Sequence, residues 1–320
     1  MVDVSRLGFV AVLAGIVYLA AGEELFSAWM RWRRRDPFRH EASPIKRVLR
    51  IVAWGLALVG LICAAWAFVE PYLPETTVVR VPSSKLRDAV RIVHISDLHS
   101  DPQPRLEERL PDIIAELAPD IVVFSGDAIN SSAGVPVFRR CMQRIAVLAP
   151  TFAVRGNWEV WWFADVDLFA GTGVHLLGSD PVPVRVRGEE LWLAGADVGD
   201  EARIASTLAK VPVGRYTLFV HHFPAVWDGA RRAGADLQLA GDTHGGQVVL
   251  PLLGPLVRLS RGDGRFYASG IHRSQGDRFL YVNRGLGMEG GSAPRVRFGC
   301  RPEITLLLVG GGASAETPTG

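Results

Sequence analysis

The feature that most constrains this chain is an uncharged, strongly apolar run over residues 51–69. These nineteen residues extend about 28 Å at helical rise, which matches the ~30 Å hydrocarbon core of a bilayer. Arg50 and Glu70 close the run, and Pro71 follows it. Because a helix in a soluble core seldom continues that long without a polar face, we expect a transmembrane helix here.

A second apolar stretch precedes the first over residues 7–29 and is interrupted by Glu23 and Glu24. Carboxylates are tolerated near the lipid headgroups, so this stretch predicts a second membrane helix and a two-pass rather than a single-pass anchor. A cleaved signal peptide is the weaker alternative, because only Arg6 supplies a positive charge ahead of the run.

The loop between the two stretches, residues 30–50, is basic. Its cations are Arg31, Arg33, Arg34, Arg35, Arg39, Lys46, Arg47 and Arg50, opposed only by Asp36 and Glu41. Cytoplasmic loops of membrane proteins carry such an excess, so the helix that follows exits on the other face. We therefore expect a protein of the cytoplasmic membrane, with the domain that follows this helix on the extracytoplasmic side. Headgroup binding by the same cations would place the loop on the same face.

Overall charge and cysteine content exclude other classes of protein. The chain has 35 basic and 33 acidic residues, a net charge of +2, which argues against a nucleic-acid partner. Cys63, Cys141 and Cys300 are far apart, so they form neither a disulfide framework nor a thiolate metal site. No sequence pattern sets an oligomeric state.

Four segments follow from composition and patterning. They are a membrane anchor over 1–70, a linker over 71–85, a catalytic domain over 86–309 and a Gly- and Thr-rich tail over 310–320, which we expect to be disordered.

The catalytic domain begins with buried-strand patterns over 91–96, 120–125 and 151–154, separated by helical patterns over 106–117 and 137–148. Further strands are predicted at 175–177, 182–186, 191–194, 217–221, 237–240, 248–250, 265–268, 279–282 and 303–309, with a helix at 225–233. This order predicts a mixed α/β domain with two sheets and chemistry at the carboxyl ends of its strands.

Five short polar motifs lie where these strands end. They are Asp97-Leu98-His99, Gly126-Asp127, Gly156-Asn157, His221-His222 and Gly241-Asp242-Thr243-His244. Imidazole and carboxylate donors without thiolates suit Mn²⁺, Fe or Zn²⁺, and a carboxylate shared by two ions favours attack on phosphorus. A single histidine on a strand is more often a core residue, but five such motifs in succession indicate a metal site.

The motifs resemble the calcineurin-like metallophosphoesterase superfamily, whose pattern is D-x-H, G-D, G-N-H-[DE], H and G-H-x-H in this order. The segments GDTHGGQ at 241–247, VNRGLG at 282–287 and RPE at 301–303 resemble its membrane-anchored bacterial branch. The resemblance covers about residues 86–309. It implies a four-layer α/β/β/α sandwich and a hydrolase that acts on phosphorus ester or anhydride bonds with two divalent ions.

The resemblance also implies which residues bind these ions. The first ion would be held by Asp97, His99 and His244, and Asp127 would bridge to a second ion held by Asn157 and His222. His222 is preferred over His221 because His222-Phe223-Pro224 resembles the family's H-x-P turn.

Further roles around this site stay open. His221 either orients His222, as a catalytic neighbour, or packs within its strand. Gly245, Gly246 and Arg284 are candidate phosphate contacts, although Arg284 could instead pair with a surface carboxylate.

Two residues depart from the family pattern. Asp242 replaces the first histidine of G-H-x-H. As a seventh ligand it would favour Mn²⁺ or Mg²⁺ over softer ions, or else leave the second ion weakly bound. Trp158 replaces the histidine that, in the family, is thought to protonate the leaving group. Indole delivers no proton at neutral pH, and loss of general acid catalysis costs a poor leaving group ~10²–10⁴-fold in rate.

The sequence therefore predicts metal-hydroxide attack on a phosphoanhydride or an acidic phosphodiester, whose leaving group needs no acid. The superfamily's UDP-diacylglucosamine pyrophosphatases similarly lack this histidine, so the phosphorylated substrate is either a small molecule or a lipid. Trp158, Trp161 and Trp162 would line a slot for its apolar chain or simply pack on the sheet. The alternatives are a phosphomonoesterase or nucleotide phosphodiesterase, and a catalytically inactive metal-binding membrane protein.

Overall fold

The computed structural model describes residues 44–250, 252–255, 261–262, 265–274, 276–289 and 295–311, and residues 22, 29, 32 and 33. The predicted first membrane helix, most of the basic loop and nearly all of the tail lie outside the described residues. The chain divides into two units, Met1–Val69 with Gly290–Arg295, and Glu70–Glu289 with Val296–Gly320.

The described part of the smaller unit contains one long helix, α1 (Pro44–Val69). It begins earlier than the expected residue 51, because a proline at a helix start loses no hydrogen bond and fixes a helical φ. The candidate membrane span Arg50–Tyr72 has a mean hydropathy of 2.2. Within the described residues, this is the one helix that is long and apolar enough to cross a membrane.

Sixteen strands and five helices are described in the larger unit. The strands are β1 Glu75–Val81, β2 Val90–Ile95, β3 Ile121–Phe124, β4 Thr151–Ala153, β5 His175–Leu176, β6 Val182–Val186, β7 Glu189–Gly195, β8 Tyr216–Val220, β9 Leu237–Ala240, β10 Val249–Leu250, β11 Gly254–Pro255, β12 Arg261–Gly262, β13 Arg265–Phe266, β14 Gly270–Ser274, β15 Arg278–Val282 and β16 Glu303–Val309. The helices are α2 Leu110–Glu116, α3 Val135–Ala146, α4 Asn157–Trp162, α5 Ile204–Leu208 and α6 Trp227–Arg232.

Most of the strands form two six-stranded sheets. The first has the order β1-β16-β2-β3-β4-β5, in which β2 to β5 are parallel and β16 runs antiparallel to β2. The second has the order β14-β15-β9-β8-β7-β6, with a parallel centre from β15 to β7 and antiparallel edges. Two-stranded pairs β10–β11 and β12–β13 complete the set.

One apolar core joins the two sheets, with side chains such as Ile92 and Val123 from the first and Leu218 and Leu239 from the second. Helices α2 and α3 pack on the outer face of the first sheet, and α5 and α6 pack on the outer face of the second. A strand that is buried on both faces has a continuous run of apolar residues, and the IVVF sequence of the fully buried strand β3 is an example. The mixed α/β prediction with two sheets is confirmed, and its helices flank the sheets in an α/β/β/α arrangement.

Strand β1 lies within residues that we expected to form a linker. It pairs in parallel with β16, from Glu75 opposite Glu303 to Val81 opposite Val309. Its side chains alternate between exposed and more buried positions, as an edge strand requires. The linker prediction is therefore wrong for residues 75–81, because their pairing partner lies at the far end of the sequence.

Candidate metal centre

The polar motifs converge on one edge of the two sheets, beyond the carboxyl ends of five strands. Strand β2 leads to Asp97 and His99, β3 to Asp127, β4 to Asn157, β8 to His222, and β9 to Asp242 and His244. Parallel neighbours end at the same edge, which brings together side chains that are far apart in sequence. The placement at strand ends is thus the one that the sequence predicted.

Five of these residues have a left-handed backbone. They are Asp97 (φ 52°), His99 (φ 43°), Asp127 (φ 59°), Asp242 (φ 70°) and His244 (φ 49°). Residues other than glycine seldom adopt this conformation, and each instance costs on the order of 1–3 kcal/mol unless the surrounding structure enforces it. Such clusters are typical of functional sites, because the turn aims a side chain where regular structure would not.

Two motif glycines allow the close approach of neighbouring loops. A Cβ atom on Gly156 would collide with Asp127 Oδ1, and one on Gly241 would collide with Asp97 Oδ2. Both positions therefore exclude every larger residue unless the ligand loop moves.

Asp127 lies between two histidines, as a bridging ligand would. Its Oδ2 is 3.4 Å from His99 Nε2 and 3.4 Å from His222 Nε2. Its Oδ1 accepts a hydrogen bond from the backbone N–H of Trp158 at 3.0 Å, which fixes the carboxylate plane. His222 Nδ1 lies 2.8 Å from Ser125 O, so the Nδ1–H donates there and the Nε2 lone pair faces the site.

Asp97 connects the other donors. Its Oδ1 is 3.5 Å from His244 Nε2 and accepts a hydrogen bond from the N–H of Asp242 at 3.2 Å. The carboxylate of Asp242 lies 4.0 Å from His222 Nε2. Two overlapping triads result, Asp97–His99–His244 and Asp97–Asp127–His222, and the ligand atoms of each triad lie within 4.8 Å of one another.

Several donor atoms in this cluster are buried and have no hydrogen-bond partner in the described part of the chain. They are Asp97 Oδ2, both ring nitrogens of His99, Asn157 Oδ1 and His222 Nε2. Buried polar atoms are almost always satisfied, so several unsatisfied oxygens and nitrogens in one cluster indicate a missing partner. These donors fit divalent cations.

The electrostatics of the carboxyl groups support the same conclusion. Burial raises the pKa of Asp97, and it raises that of Asp242 to about 7, in both cases against the opposing charge of His222. Burial acts in the same direction on Asp127, but the charge of His222, reinforced by His99, outweighs it and lowers the pKa. Bound cations would offset the cost of keeping these carboxylates ionised.

Sequence comparison agrees with this geometry. Residues 90–246 match the calcineurin-like phosphoesterase family. The chain contains a calcineurin-like metallophosphoesterase domain. Members of this family hold two divalent metal ions, and each of the two donor triads could hold one such ion.

Three relatives extend the comparison beyond the matched domain. The uncharacterized metallophosphoesterase YkuE of Bacillus subtilis is 29% identical over 269 residues, covering 76% of this chain and 87% of the relative. Phosphodiesterase YaeI of Escherichia coli is 28% identical over 231 residues, covering 68% and 81%. A transmembrane protein with metallophosphoesterase domain from Danio rerio is 29% identical over 286 residues, covering 81% and 61%.

Trp158 occupies the rim of the metal centre of this metallophosphoesterase. Its indole ring meets the His99 ring edge-on, with centroids 5.1 Å apart and an interplanar angle of 86°. The indole of Trp158 is also among the groups that favour the ionised form of the Glu289 carboxyl and so lower its pKa, against the larger effect of burial. The indole therefore contacts a metal-ligand candidate directly and lies close to a carboxylate.

Three functional candidates were absent from the sequence predictions. Glu159 is 1% exposed and accepts hydrogen bonds from the N–H groups of Asp127, Ala128 and Gly156 at 2.9, 2.5 and 2.6 Å. The acidic position of the G-N-H-[DE] pattern was the signal for it.

Arg297 and Glu289 had no such signal. Arg297 is fully buried, donates to Gly287 O at 2.7 Å, and has Nη2 3.3 Å from His244 Nδ1. Glu289 lies outside every motif that the family pattern contains. An arginine or a glutamate in a loop is ordinarily exposed at the protein surface, so neither residue stood out in the sequence.

His221 lies behind the metal centre with a fully buried side chain. Its Nδ1 accepts a hydrogen bond from the N–H of Phe223 at 3.0 Å, and its Nε2 is 3.6 Å from Glu201 Oε1. Because Ser125 supplies the contact that orients His222, the geometry favours the packed role for His221. Its catalytic role stays a prediction.

The predicted phosphate contacts have partners within the protein. The N–H groups of Gly245 and Gly246 donate to Oγ1 and O of Thr243. Arg284 Nη2 lies 3.3 Å from both Glu75 Oε1 and Glu303 Oε1, and Glu303 is buried rather than at the surface. A phosphate contact by these residues stays a prediction.

Trp161 and Trp162 differ from Trp158 in exposure. Their side chains are 60% and 69% exposed, and only Trp161 has an aromatic neighbour described, Phe223, with ring centroids 6.5 Å apart. The alternative that these two residues pack on the sheet is wrong, because each is more than half exposed.

Proposed function

We propose that this metallophosphoesterase hydrolyses phosphoanhydrides or acidic phosphodiesters. The observation that carries the proposal is that Trp158 stands where a proton-donating histidine is expected, with its indole ring edge-on to the His99 ring. A phosphate or an acidic alcohol departs without a proton, whereas an alkoxide does not.

The first ion is assigned to Asp97, His99 and His244, and the second to Asn157, His222 and Asp242, with Asp127 shared. When bound, two divalent ions activate water at neutral pH and neutralise charge that develops on phosphorus. The oxygen-rich set at the second position favours Mn²⁺, with Mg²⁺, Zn²⁺ or Fe as alternatives.

The chain's own residues hold these donors in place. Ser125 fixes the ring orientation of His222, the N–H of Trp158 fixes Asp127, and the N–H of Asp242 fixes Asp97. Donors positioned in this way lose little freedom when ligands bind, which strengthens metal binding and leaves the site ready for the transition state.

A membrane-proximal, lipid-linked substrate is supported by two features of the chain and by the name of one relative. The apolar helix α1 would hold the enzyme at a bilayer, and the Danio rerio relative is named a transmembrane protein. Exposed Trp161 and Trp162 present apolar surface beside the site, suited to an acyl or prenyl chain.

The basic residues ahead of the helix support an extracytoplasmic catalytic domain. The Escherichia coli relative is named a phosphodiesterase, which supports the ester arm of the proposal.

The test is a leaving-group series with the detergent-solubilised full-length chain and Mn²⁺. Aryl phosphodiesters of increasing leaving-group pKa, a UDP-linked pyrophosphate and an alkyl phosphomonoester are compared for wild type and Trp158→His. We expect wild-type rates to fall steeply as leaving-group pKa rises. Trp158→His should raise the rate on poor leaving groups at least tenfold and leave good ones nearly unchanged.

Trp161→His is the matched control, because it changes an exposed tryptophan of the same helix. No gain from Trp158→His would refute our account of that residue. If wild type hydrolyses alkyl phosphomonoesters as fast as anhydrides, the phosphomonoesterase alternative is correct. A protein that binds Mn²⁺ but hydrolyses no substrate in the series is the inactive metal-binding protein.

A further inference from the structure

Glu289 follows a loop that is fixed against the metal-ligand segment. The N–H of Gly287 donates to Asp97 O at 2.5 Å, and Arg297 donates to Gly287 O at 2.7 Å. Asn130 Nδ2 donates to both His99 O at 2.9 Å and Met288 O at 3.2 Å. The backbone that precedes Glu289 is therefore held beside Asp97 by a direct hydrogen bond and beside His99 through Asn130, while Arg297 fixes Gly287.

The side chain of Glu289 is half-buried, and the indole of Trp158 lies close enough to it to favour the ionised carboxylate, which lowers its pKa against the effect of burial. The same indole ring lies edge-on to His99, which places the carboxylate on the His99 side of the centre. Within the described residues, Glu289 belongs to neither donor triad. It is a carboxylate next to the metal centre that is not among the assigned ligands.

The charge of Glu289 reaches the groups that surround the substrate position. Burial raises the pKa of the Glu289 carboxyl group. The charge of His99 lowers this pKa, whereas the negative charges of Asp127 and Asp97 raise it further. The negative charge of Glu289 in turn contributes to the raised pKa of Asp242, behind burial and the charges of Asp97 and Asp127. His99, Asp97, Asp127 and Asp242 are thus the charged groups that face it, and they come from both sheets.

We propose that Glu289 selects the substrate by charge, repelling the second negative charge of a phosphomonoester dianion. The site then favours phosphoryl groups with a single negative charge, which are phosphodiesters and the internal phosphates of pyrophosphate diesters. Like charges repel each other strongly in a partly buried site. This repulsion distinguishes a dianionic phosphoryl group from a monoanionic one of otherwise similar structure. Because Glu289 acts on a phosphoryl group bound at the metal centre, this role rests on the proposed function.

The test compares Glu289→Gln with wild type in the full-length, Mn²⁺-loaded protein. Glutamine keeps the shape of the side chain but removes the charge. We expect kcat/KM for p-nitrophenyl phosphate to rise about tenfold, with the value for bis(p-nitrophenyl) phosphate within about twofold of wild type. Glu289→Asp, which keeps the charge, should retain the wild-type ratio. Glu190→Gln is the matched control, since Glu190 pairs with Arg185 on strand β7 and its loss changes the net charge equally.

Equilibrium binding provides a readout that does not depend on turnover. Calorimetry with inorganic phosphate, a dianion at pH 8, should show about tenfold tighter binding to Glu289→Gln, whereas dimethyl phosphate, a monoanion, should bind both proteins equally. Unchanged phosphate binding together with an unchanged substrate ratio would overturn the role of Glu289. A loss of rate confined to substrates with poor leaving groups would overturn it too, because that result would identify Glu289 as a proton donor. If wild type hydrolyses neither substrate, the proposed function fails while the binding comparison still tests Glu289.

Discussion

Replacing Glu159 with glutamine should weaken both the fold and the metal centre. The carboxylate accepts three backbone N–H groups, two on Oε2 from Asp127 and Gly156 and one on Oε1 from Ala128. A glutamine offers one oxygen, so it can keep the two bonds on the Oε2 side while its NH₂ group faces the N–H of Ala128. That leaves one buried donor unsatisfied and makes the other two bonds neutral instead of charge-assisted.

The expected cost follows from these contacts. An unsatisfied buried donor costs about 1–3 kcal/mol, and weakening two charge-assisted bonds adds about 1 kcal/mol. Burial, followed by repulsion from Asp127, raises the pKa of Glu159 to about 7, and removal of the charge relieves both costs and offsets part of this loss. We expect a net loss of about 2–3 kcal/mol in the free energy of unfolding. For a unit of this size that lowers Tm by roughly 4–12 °C.

The assay measures Tm by thermal unfolding and Mn²⁺ affinity by calorimetry in the same detergent. Because Glu159 holds the backbone of Asp127, metal affinity should fall about 10–100-fold, as for other residues that orient a metal ligand. Glu116→Gln, an exposed substitution on helix α2, is the control and should change neither quantity. A Glu159→Gln protein with wild-type Tm and wild-type metal affinity would show that the three N–H contacts do not support the centre.

Three further changes test other parts of the site and fold. Asp127→Ala should abolish turnover and bind less than two Mn²⁺ ions per chain by calorimetry, since it removes the carboxylate shared by both positions; retained activity would contradict the bridging role. Gly156→Ala should lower Tm and Mn²⁺ affinity together, because its Cβ collides with Asp127 Oδ1; a protein with wild-type values would show that the loop moves freely. His94 is buried, which lowers its pKa to about 3. Its charge is thus acquired mainly in the unfolded state, and stability falls as pH drops below the unfolded value of 6.5. Between pH 7 and pH 5, wild type should lose about 2 kcal/mol more than His94→Gln in urea unfolding, and parallel curves would refute this.

The strand-end motifs were predictable because their signal is local. Each donor follows a short apolar run and, in three cases, a glycine, so Asp97, Asp127 and His244 could be placed at strand ends from neighbouring residues alone. Parallel pairing then makes their convergence a consequence of the fold class. The same local alternation of apolar runs and turn residues predicted the bounds of β6, β9 and β16 correctly.

The parts that were missed depend on contacts between distant segments. Strand β1 joins the sheet through its pairing with β16; its threonine- and valine-rich residues suit a strand, but they do not reveal a partner at the far end of the sequence. Arg297 is buried because carbonyl groups of the loop after β15 surround its guanidinium. Glu289 reaches the metal centre only because that loop is fixed to Asp97 and His99. Such arrangements require the completed tertiary structure.

The distribution of donors over five strand ends also bears on how the enzyme acquires its metal. The seven assigned ligands span residues 97–244, and they come from both sheets. No shorter part of the chain carries the full set, so a nascent or unfolded chain has no site with comparable affinity. Metal is then taken up in whichever compartment the domain completes its folding. For a domain that crosses the membrane unfolded, the ion supply outside the cytoplasm, rather than the cytoplasmic pool, decides which metal the enzyme carries.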